Sequence, residues 1–101
     1  MALTKLQILR KLKGNYSELS LKYGLKKIGL FGSYASGKAN ENSDIDLVVE
    51  FENPIGLEFI EFTEFLESLL GKKTDVITTA GIEGIRNPKI QQNIKKSIIY
   101  V

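Results

Sequence analysis

Residues 31–47 read FGSYASGKANENSDIDL, and the pattern of this stretch predicts the centre of the fold. Gly32 and Ser33 follow one apolar run, and after ten further residues Asp44 and Asp46 open a second. A glycine–serine turn after a strand offers backbone N–H groups that suit phosphate, although by itself it is more often an ordinary turn. The segment therefore sets a turn suited to phosphate close in sequence to a pair of like charges.

The apolar runs on either side predict two β-strands. LKKIGLFG, at residues 25–32, is typical of a strand, and DIDLVVEF, at residues 44–51, more clearly so because its apolar residues alternate. Alternate residues of a strand share one face. One face of the second strand would carry Ile45, Leu47, Val49 and Phe51, and the other Asp44, Asp46, Val48 and Glu50.

Helices are predicted on both sides of these strands. A capping box at residues 4–7 begins the first helix, Gly14 is expected to interrupt it, and a second capping box at residues 15–18 leads to a stop at Gly24. After the second strand, apolar spacing predicts an amphipathic helix that ends at Gly71, with its glutamates as a solvated face. The remaining segments predict a strand, a loop or brief helical turn, a helix and a final strand, at residues 74–78, 81–88, 88–97 and 98–101.

This order of elements predicts one α/β (α+β) domain over residues 1–101, in which helices flank a small mixed sheet. With 43% hydrophobic residues, the chain can bury a single core. It has no cysteine and no histidine, which excludes disulfides and leaves oxygen atoms as the ligands for any metal ion. No apolar run reaches the length of a membrane span, and we expect a cytoplasmic protein.

Charge is divided unevenly along the chain. Residues 1–38 carry eight Lys or Arg and one acid, whereas residues 39–71 carry nine Asp or Glu and no base. The basic and acidic stretches either form surfaces that pair within the fold, or attract polyanions and cations respectively. The residue counts do not decide between these two interpretations. Four lysines flank strands without interleaved aromatic residues, so we expect solvated strand ends and no direct nucleic-acid binding. They are Lys26, Lys27, Lys72 and Lys73.

The two aspartates are the stronger chemical signal. Asp44 and Asp46, two positions apart on a strand, would project to the same face. Two unit charges about 4 Å apart repel by about 4 kcal/mol at an effective dielectric near 20, so the pair needs full solvation or a counter-ion. Mg²⁺ suits such a pair, because it takes one or two carboxylates and completes its shell with water and phosphate oxygens.

Asp75 adds a third carboxylate at the start of the third predicted strand. If this strand runs beside the second, Asp75 converges with Asp44 and Asp46, and three carboxylates can hold two metal ions, as in nucleotidyl transfer. Asp75 would then act as a metal ligand, a proton acceptor or both. Taken alone, Asp75 is better explained as an ordinary strand-end or turn aspartate.

The combined motif resembles a known family. Gly-Ser, ten residues and Asp-x-Asp, within the flanks KKIGLFGSYASG and NSDIDLVVEF, are similar to the polymerase-beta-type nucleotidyltransferases. The similarity is greater still to the minimal nucleotidyltransferases encoded beside a HEPN-domain toxin, and it covers nearly the whole chain. It implies a Mg²⁺-dependent antitoxin enzyme that transfers AMP from ATP to a tyrosine hydroxyl of its HEPN toxin and so silences that toxin.

The resemblance also implies roles for individual residues. Gly32 and Ser33 would bind the triphosphate. Asp44, Asp46 and Asp75 would be the catalytic carboxylates and the ligands of two Mg²⁺ ions.

One position departs from the family pattern. The motif is commonly Gly-Ser-x-Ala-Arg-Gly, and here Ser36 replaces the arginine and its fixed charge. This leaves open a second hypothesis, an antitoxin that masks its toxin by direct binding without catalysis. A third, modification of a small molecule or RNA, ranks last because such relatives normally carry an additional substrate-binding domain. Both antitoxin hypotheses imply a hetero-oligomer with the toxin.

Overall fold

The computed structural model describes residues 3–101. In chain order the elements are α1 Lys5–Tyr23, β1 Leu25–Phe31, α2 Gly32–Ser36, β2 Ile45–Phe51, α3 Glu58–Leu70, β3 Thr74–Thr78, α4 Thr79–Glu83, α5 Pro88–Ser97 and β4 Ile99–Tyr100. The strands form one sheet in the order β3-β2-β1-β4, with β1 antiparallel to β2 and β4, and with β2 and β3 parallel. The predicted mixed sheet with flanking helices is confirmed. In this described range, no helix combines the length and the apolar character needed to cross a membrane.

Helix α1 is continuous, and the prediction that Gly14 interrupts it is wrong. Its capping box is present: the Thr4 side chain accepts from the Gln7 N–H, and the Gln7 side chain accepts from the Thr4 N–H. The Asn15 side chain donates to the Lys11 carbonyl at 2.8 Å instead of starting a second helix. Buried leucines lie on both sides of the glycine, and their packing outweighs its helix penalty of roughly 1 kcal/mol.

The hydrophobic core lies between one face of the sheet and helices α1 and α3. The predicted alternation of β2 is observed, because Ile45, Leu47 and Val49 are fully buried on this face. Phe62 of α3 packs edge-on against Phe51, with 5.1 Å between ring centroids. Full burial of an aliphatic or aromatic side chain contributes about 1.5–3 kcal/mol, so this face supplies much of the free energy of folding.

The glutamates of α3 are not all a solvated face. Glu58, Glu61 and Glu64 are exposed, as predicted. Glu67 is half-buried, and its carboxylate accepts a hydrogen bond from the Thr74 N–H at 3.1 Å. Glu67 therefore fastens the end of α3 to the start of β3.

The opposite face of the sheet is covered only in part. Helix α4 contacts β2 and β3, and α5 contacts α2 and α4. Val48 is fully buried on this face, whereas α5 contains no buried residue. A loop or a brief helical turn is predicted at residues 81–88. The helical turn is present as α4, but it begins two residues earlier, at Thr79. At the start of β2 and β3 the same face carries the half-buried Asp46 and the exposed Asp75.

Candidate active site

The ends of three strands meet at one edge of the sheet. β1 ends at Phe31, which pairs with Asp46 near the start of β2. β3 runs parallel to β2, and Asp75 is the register partner of Asp46. Asp44 immediately precedes β2, and Gly32 immediately follows β1. The structure therefore brings together the glycine–serine turn and the three aspartates that the sequence predicts as site residues.

Gly32 lies so close to Asp46 that no side chain fits between them. Its φ of 75° is in the left-handed region that favours glycine. A Cβ at this position would overlap a carboxylate oxygen of Asp46 and would lie 2.9 Å from its Cγ. Two independent constraints, backbone conformation and space, thus require glycine where the turn meets the aspartates.

The turn continues into the short helix α2. This helix ends at Gly37 in the left-handed conformation, and the N–H of Lys38 donates to the Ser33 carbonyl at 2.9 Å. The Ser36 hydroxyl donates to the same carbonyl at 3.2 Å. At the position where the family commonly has arginine, this chain therefore has an exposed side chain that closes a helix and carries no charge.

The surroundings of Asp46 make its charged form less favourable than in water. Burial raises the pKa of the Asp46 carboxyl above its ordinary value, and the nearby charges of Asp75 and Asp44 raise this pKa further. Asp46 is half-buried, whereas Asp44 and Asp75 are exposed. Loss of solvent and like-charge repulsion both disfavour the ionised form of Asp46. A cation bound at this edge would offset both effects.

The donor atoms at this edge suit a hard divalent cation. They are carboxylate oxygens, which Mg²⁺ and Mn²⁺ prefer. Within residues 3–101, no three acidic side chains are already gathered around one point. Asp44 is close enough to perturb Asp46 and exposed enough to reorient. The residues present therefore fit Mg²⁺ in charge and chemistry, and the three carboxylates would have to draw together around a bound cation.

The structure adds residues that the sequence did not place at this edge. Lys72, predicted as a solvated strand end, donates to the Glu41 carbonyl at 2.6 Å. Asn40 and Ser43 close a hydrogen-bonded turn directly before Asp44. The Asn-x-x-Ser spacing is a recognisable turn signal. The lysine contact joins residues 31 positions apart, and no local pattern indicates it.

Comparisons with known proteins give a consistent family. The nucleotidyltransferase domain model matches residues 9–101. A candidate protein adenylyltransferase of Methanocaldococcus jannaschii is 45% identical over 98 residues, which cover 94% of this chain and 92% of the relative. The protein adenylyltransferase MntA of Thermococcus cleftensis is 37% identical over 89% of this chain and 88% of its own length.

Solved structures agree with this result. A candidate minimal nucleotidyltransferase has a TM-score of 0.74 at 28% identity, covering 96% of this chain and 95% of that chain. A chain in a toxin–antitoxin crystal structure with AMP-PNP has a TM-score of 0.62 at 24% identity, covering 97% of this chain and 72% of that chain; this likeness shows the fold alone. Because the family match spans the glycine–serine turn and all three aspartates, the chain belongs to the nucleotidyltransferase domain family, with the polymerase-beta-like core that its sequence predicts.

Proposed function

We propose that this chain is a Mg²⁺-dependent antitoxin that transfers AMP from ATP to a hydroxyl of a partner HEPN-domain toxin and thereby neutralises it. The observation that carries the proposal is the register pairing of Asp46 with Asp75, beside Asp44 and against Gly32. A tyrosine hydroxyl is the proposed acceptor, following the family resemblance. Residues 1–101 would carry out the reaction as one domain, in the cytoplasm.

The relatives support this choice of substrates. Those at 45% and 37% identity carry names that describe protein adenylyltransferases. The fold also occurs in a toxin–antitoxin complex with AMP-PNP, a non-hydrolysable analogue of ATP. These relatives favour a nucleoside triphosphate as donor and a protein as acceptor.

The proposed step is a substitution at the α-phosphorus of ATP. The acceptor oxygen forms a bond to that phosphorus, the bond from the phosphorus to the bridging oxygen breaks, and pyrophosphate leaves. Asp75, exposed at the start of β3, would take the proton of the hydroxyl directly or through one water molecule. Bound Mg²⁺ would lower the pKa of the attacking hydroxyl and balance the charge of the departing pyrophosphate.

The remaining residues would bind and orient. Backbone N–H groups of Gly32 and Ser33, with the serine hydroxyl, would hold the triphosphate. Asp44, Asp46 and Asp75 would hold two Mg²⁺ ions. Burial and like charge raise the pKa of the Asp46 carboxyl, and a bound cation would offset both effects.

One observation supports a second function. Ser36 supplies no charge where the family commonly has arginine, and its hydroxyl serves to close α2. An antitoxin that only masks its toxin would need a binding surface but not the carboxylates. Asp46→Asn would then leave toxin neutralisation intact, whereas the same change abolishes neutralisation by AMP transfer. Both functions require a hetero-oligomer with the toxin, which co-elution in gel filtration checks.

The deciding experiment is the intact mass of the cognate toxin after incubation with this chain, ATP and Mg²⁺. The expected result is a gain of one or more AMP units. The control is the double variant Asp44→Asn/Asp46→Asn, for which no gain is expected. An unchanged toxin mass despite tight binding of the two proteins would show that the chain masks the toxin and does not modify it.

A further inference from the structure

The loop before Asp44 is a closed turn rather than a loose connection. The Asn40 N–H donates to Ser43 Oγ at 3.0 Å, and the Ser43 N–H donates to the Asn40 carbonyl at 3.1 Å. The Asn40 side-chain oxygen accepts from the Asn42 N–H at 2.8 Å and from the Ser43 hydroxyl at 3.5 Å. Contacts centred on one asparagine therefore fix the backbone directly ahead of Asp44.

A second contact ties this turn to the start of β3. Lys72, in the corner between α3 and β3, donates from Nζ to the Glu41 carbonyl at 2.6 Å. Beside it, the Ile45 N–H donates to the Lys73 carbonyl at 3.1 Å. The segment carrying Asp44 is thus linked to the neighbouring corner by a side chain and by the backbone.

Asp44 depends on this turn more than the other two aspartates do. Asp46 and Asp75 lie within paired strands, and the ladder sets their backbone positions. Asp44 lies ahead of the ladder, is exposed, and is close enough to Asp46 for their charges to interact. Like-charge repulsion pushes an untethered carboxylate outward, away from the place where a shared cation would bind.

We propose that Asn40 and Lys72 are positioning residues that hold Asp44 at the cation site. The inference rests on the function proposed above and concerns how its metal site is assembled. Neither side chain is proposed to touch metal or nucleotide; both act through the backbone of residues 40–43, which precedes Asp44. The plain alternative is an ordinary surface turn, for which cation affinity does not depend on these two residues.

The first test measures cation binding by the whole chain, without turnover. The probe is Mn²⁺ in the presence of AMP-PNP, with free Mn²⁺ measured by electron paramagnetic resonance. Asn40→Ala is expected to weaken Mn²⁺ affinity roughly tenfold, as loss of a supporting partner typically does. Asn42→Ala is the matched control, because Asn42 contributes only its backbone N–H to the turn. Asn40→Asp keeps the accepting oxygen and should retain affinity.

A second pair of variants tests the lysine. Lys72→Met and Lys73→Met each remove one positive charge from the same corner, so their effects on long-range attraction of the cation are alike. Only Lys72 uses its side chain to reach the turn, whereas Lys73 contributes its carbonyl. Weaker Mn²⁺ binding in Lys72→Met than in Lys73→Met is the expected result. Thermal unfolding of all variants identifies any that fail to fold, in which case the other pair decides.

The outcomes separate this inference from the proposed function. Equal Mn²⁺ affinity of Asn40→Ala and Asn42→Ala, or of Lys72→Met and Lys73→Met, overturns the positioning role. If Mn²⁺ affinity differs within these pairs as expected but no AMP is transferred, the positioning role is supported and the proposed function is wrong. In the active protein, the Mg²⁺ concentration for half-maximal rate should rise roughly tenfold in Asn40→Ala, while kcat recovers at saturating Mg²⁺. A wild-type chain that binds no Mn²⁺ overturns both.

Discussion

The two faces of β2 differ sharply although their residues alternate one position apart. Ile45 and Leu47 are fully buried against the helices. Between them in the chain, Asp46 is half-buried among like charges, and both its burial and its neighbours disfavour its ionised form. The comparison teaches that one face stabilises the fold, while the other holds like charges that disfavour it and that the proposed cation would offset. Substitutions on the two faces should therefore have separable effects.

The largest expected effect comes from a substitution on the charged face of β2, the face that carries Asp46. Asp46→Asn should lower the rate of AMP transfer about 1,000-fold, because loss of a metal ligand removes several kcal/mol of transition-state stabilisation and 1.36 kcal/mol corresponds to a factor of ten. The measurement is the initial rate of AMP incorporation into the toxin at saturating Mg²⁺. The same variant, freed of metal, should be at least as thermostable as the wild type, because it removes an unfavourable charge. A large loss of thermostability would contradict the comparison.

A substitution on the buried face of β2, which carries Leu47, should lower stability and leave activity nearly unchanged. Leu47→Ala removes a fully buried side chain and should destabilise the protein by about 2–5 kcal/mol, which urea unfolding measures. Under conditions where the variant remains folded, its rate of AMP transfer should stay within a few-fold of the wild type. Loss of activity without loss of stability would show that the two faces are not separable.

A smaller effect is expected where the turn touches the charged face. Gly32→Ala and Gly37→Ala both place a side chain at positive φ, at a cost of about 1–2 kcal/mol. Only at Gly32 does the new Cβ also meet the Asp46 carboxylate, since Gly37 has open space around it. We expect both variants to lose stability in urea unfolding, Gly32→Ala more than Gly37→Ala because its Cβ must displace the Asp46 carboxylate, with loss of AMP transfer confined to Gly32→Ala. Equal activity of the two variants would show that the close approach of Gly32 to Asp46 has no functional role.

The smallest effect is a dependence of stability on pH. The folded-state pKa of Asp46 lies above its unfolded value, near 3.8, so the folded state binds this proton more tightly. As pH rises from below the unfolded pKa through the raised folded pKa, the wild type loses stability relative to Asp46→Asn. With metals chelated, the difference in Tm between variant and wild type should therefore widen across this range and then level off. A constant difference would show that Asp46 titrates normally.

Most of the fold could be predicted because its signals are periodic. The alternation in residues 44–51 predicts the buried face of β2, and Gly24 and Gly71 end their helices as expected. Gly14 misled the prediction, because a local breaker signal was weighed without the buried leucines that continue past it. Local propensity is a weak prior when tertiary packing opposes it.

The candidate site could also be predicted only in part. The sequence could place Asp44, Asp46 and Gly32 near one another, since they belong to one short segment. Asp75 required the condition that β3 pairs with β2, which the structure meets. The contact of Lys72 with the loop could not be predicted, because it depends on how two distant turns come together in space.

The close approach of Gly32 to Asp46 also constrains how this chain can diverge. The two positions are coupled: a Cβ at position 32 would meet the Asp46 carboxylate, and only a smaller residue at position 46 would relieve that contact. Even then the positive φ of position 32 would still favour glycine, so a side chain there would also require the turn to change its backbone path. A homologue with alanine or a larger residue at position 32 should thus also differ from this chain at position 46 and in the backbone of the turn.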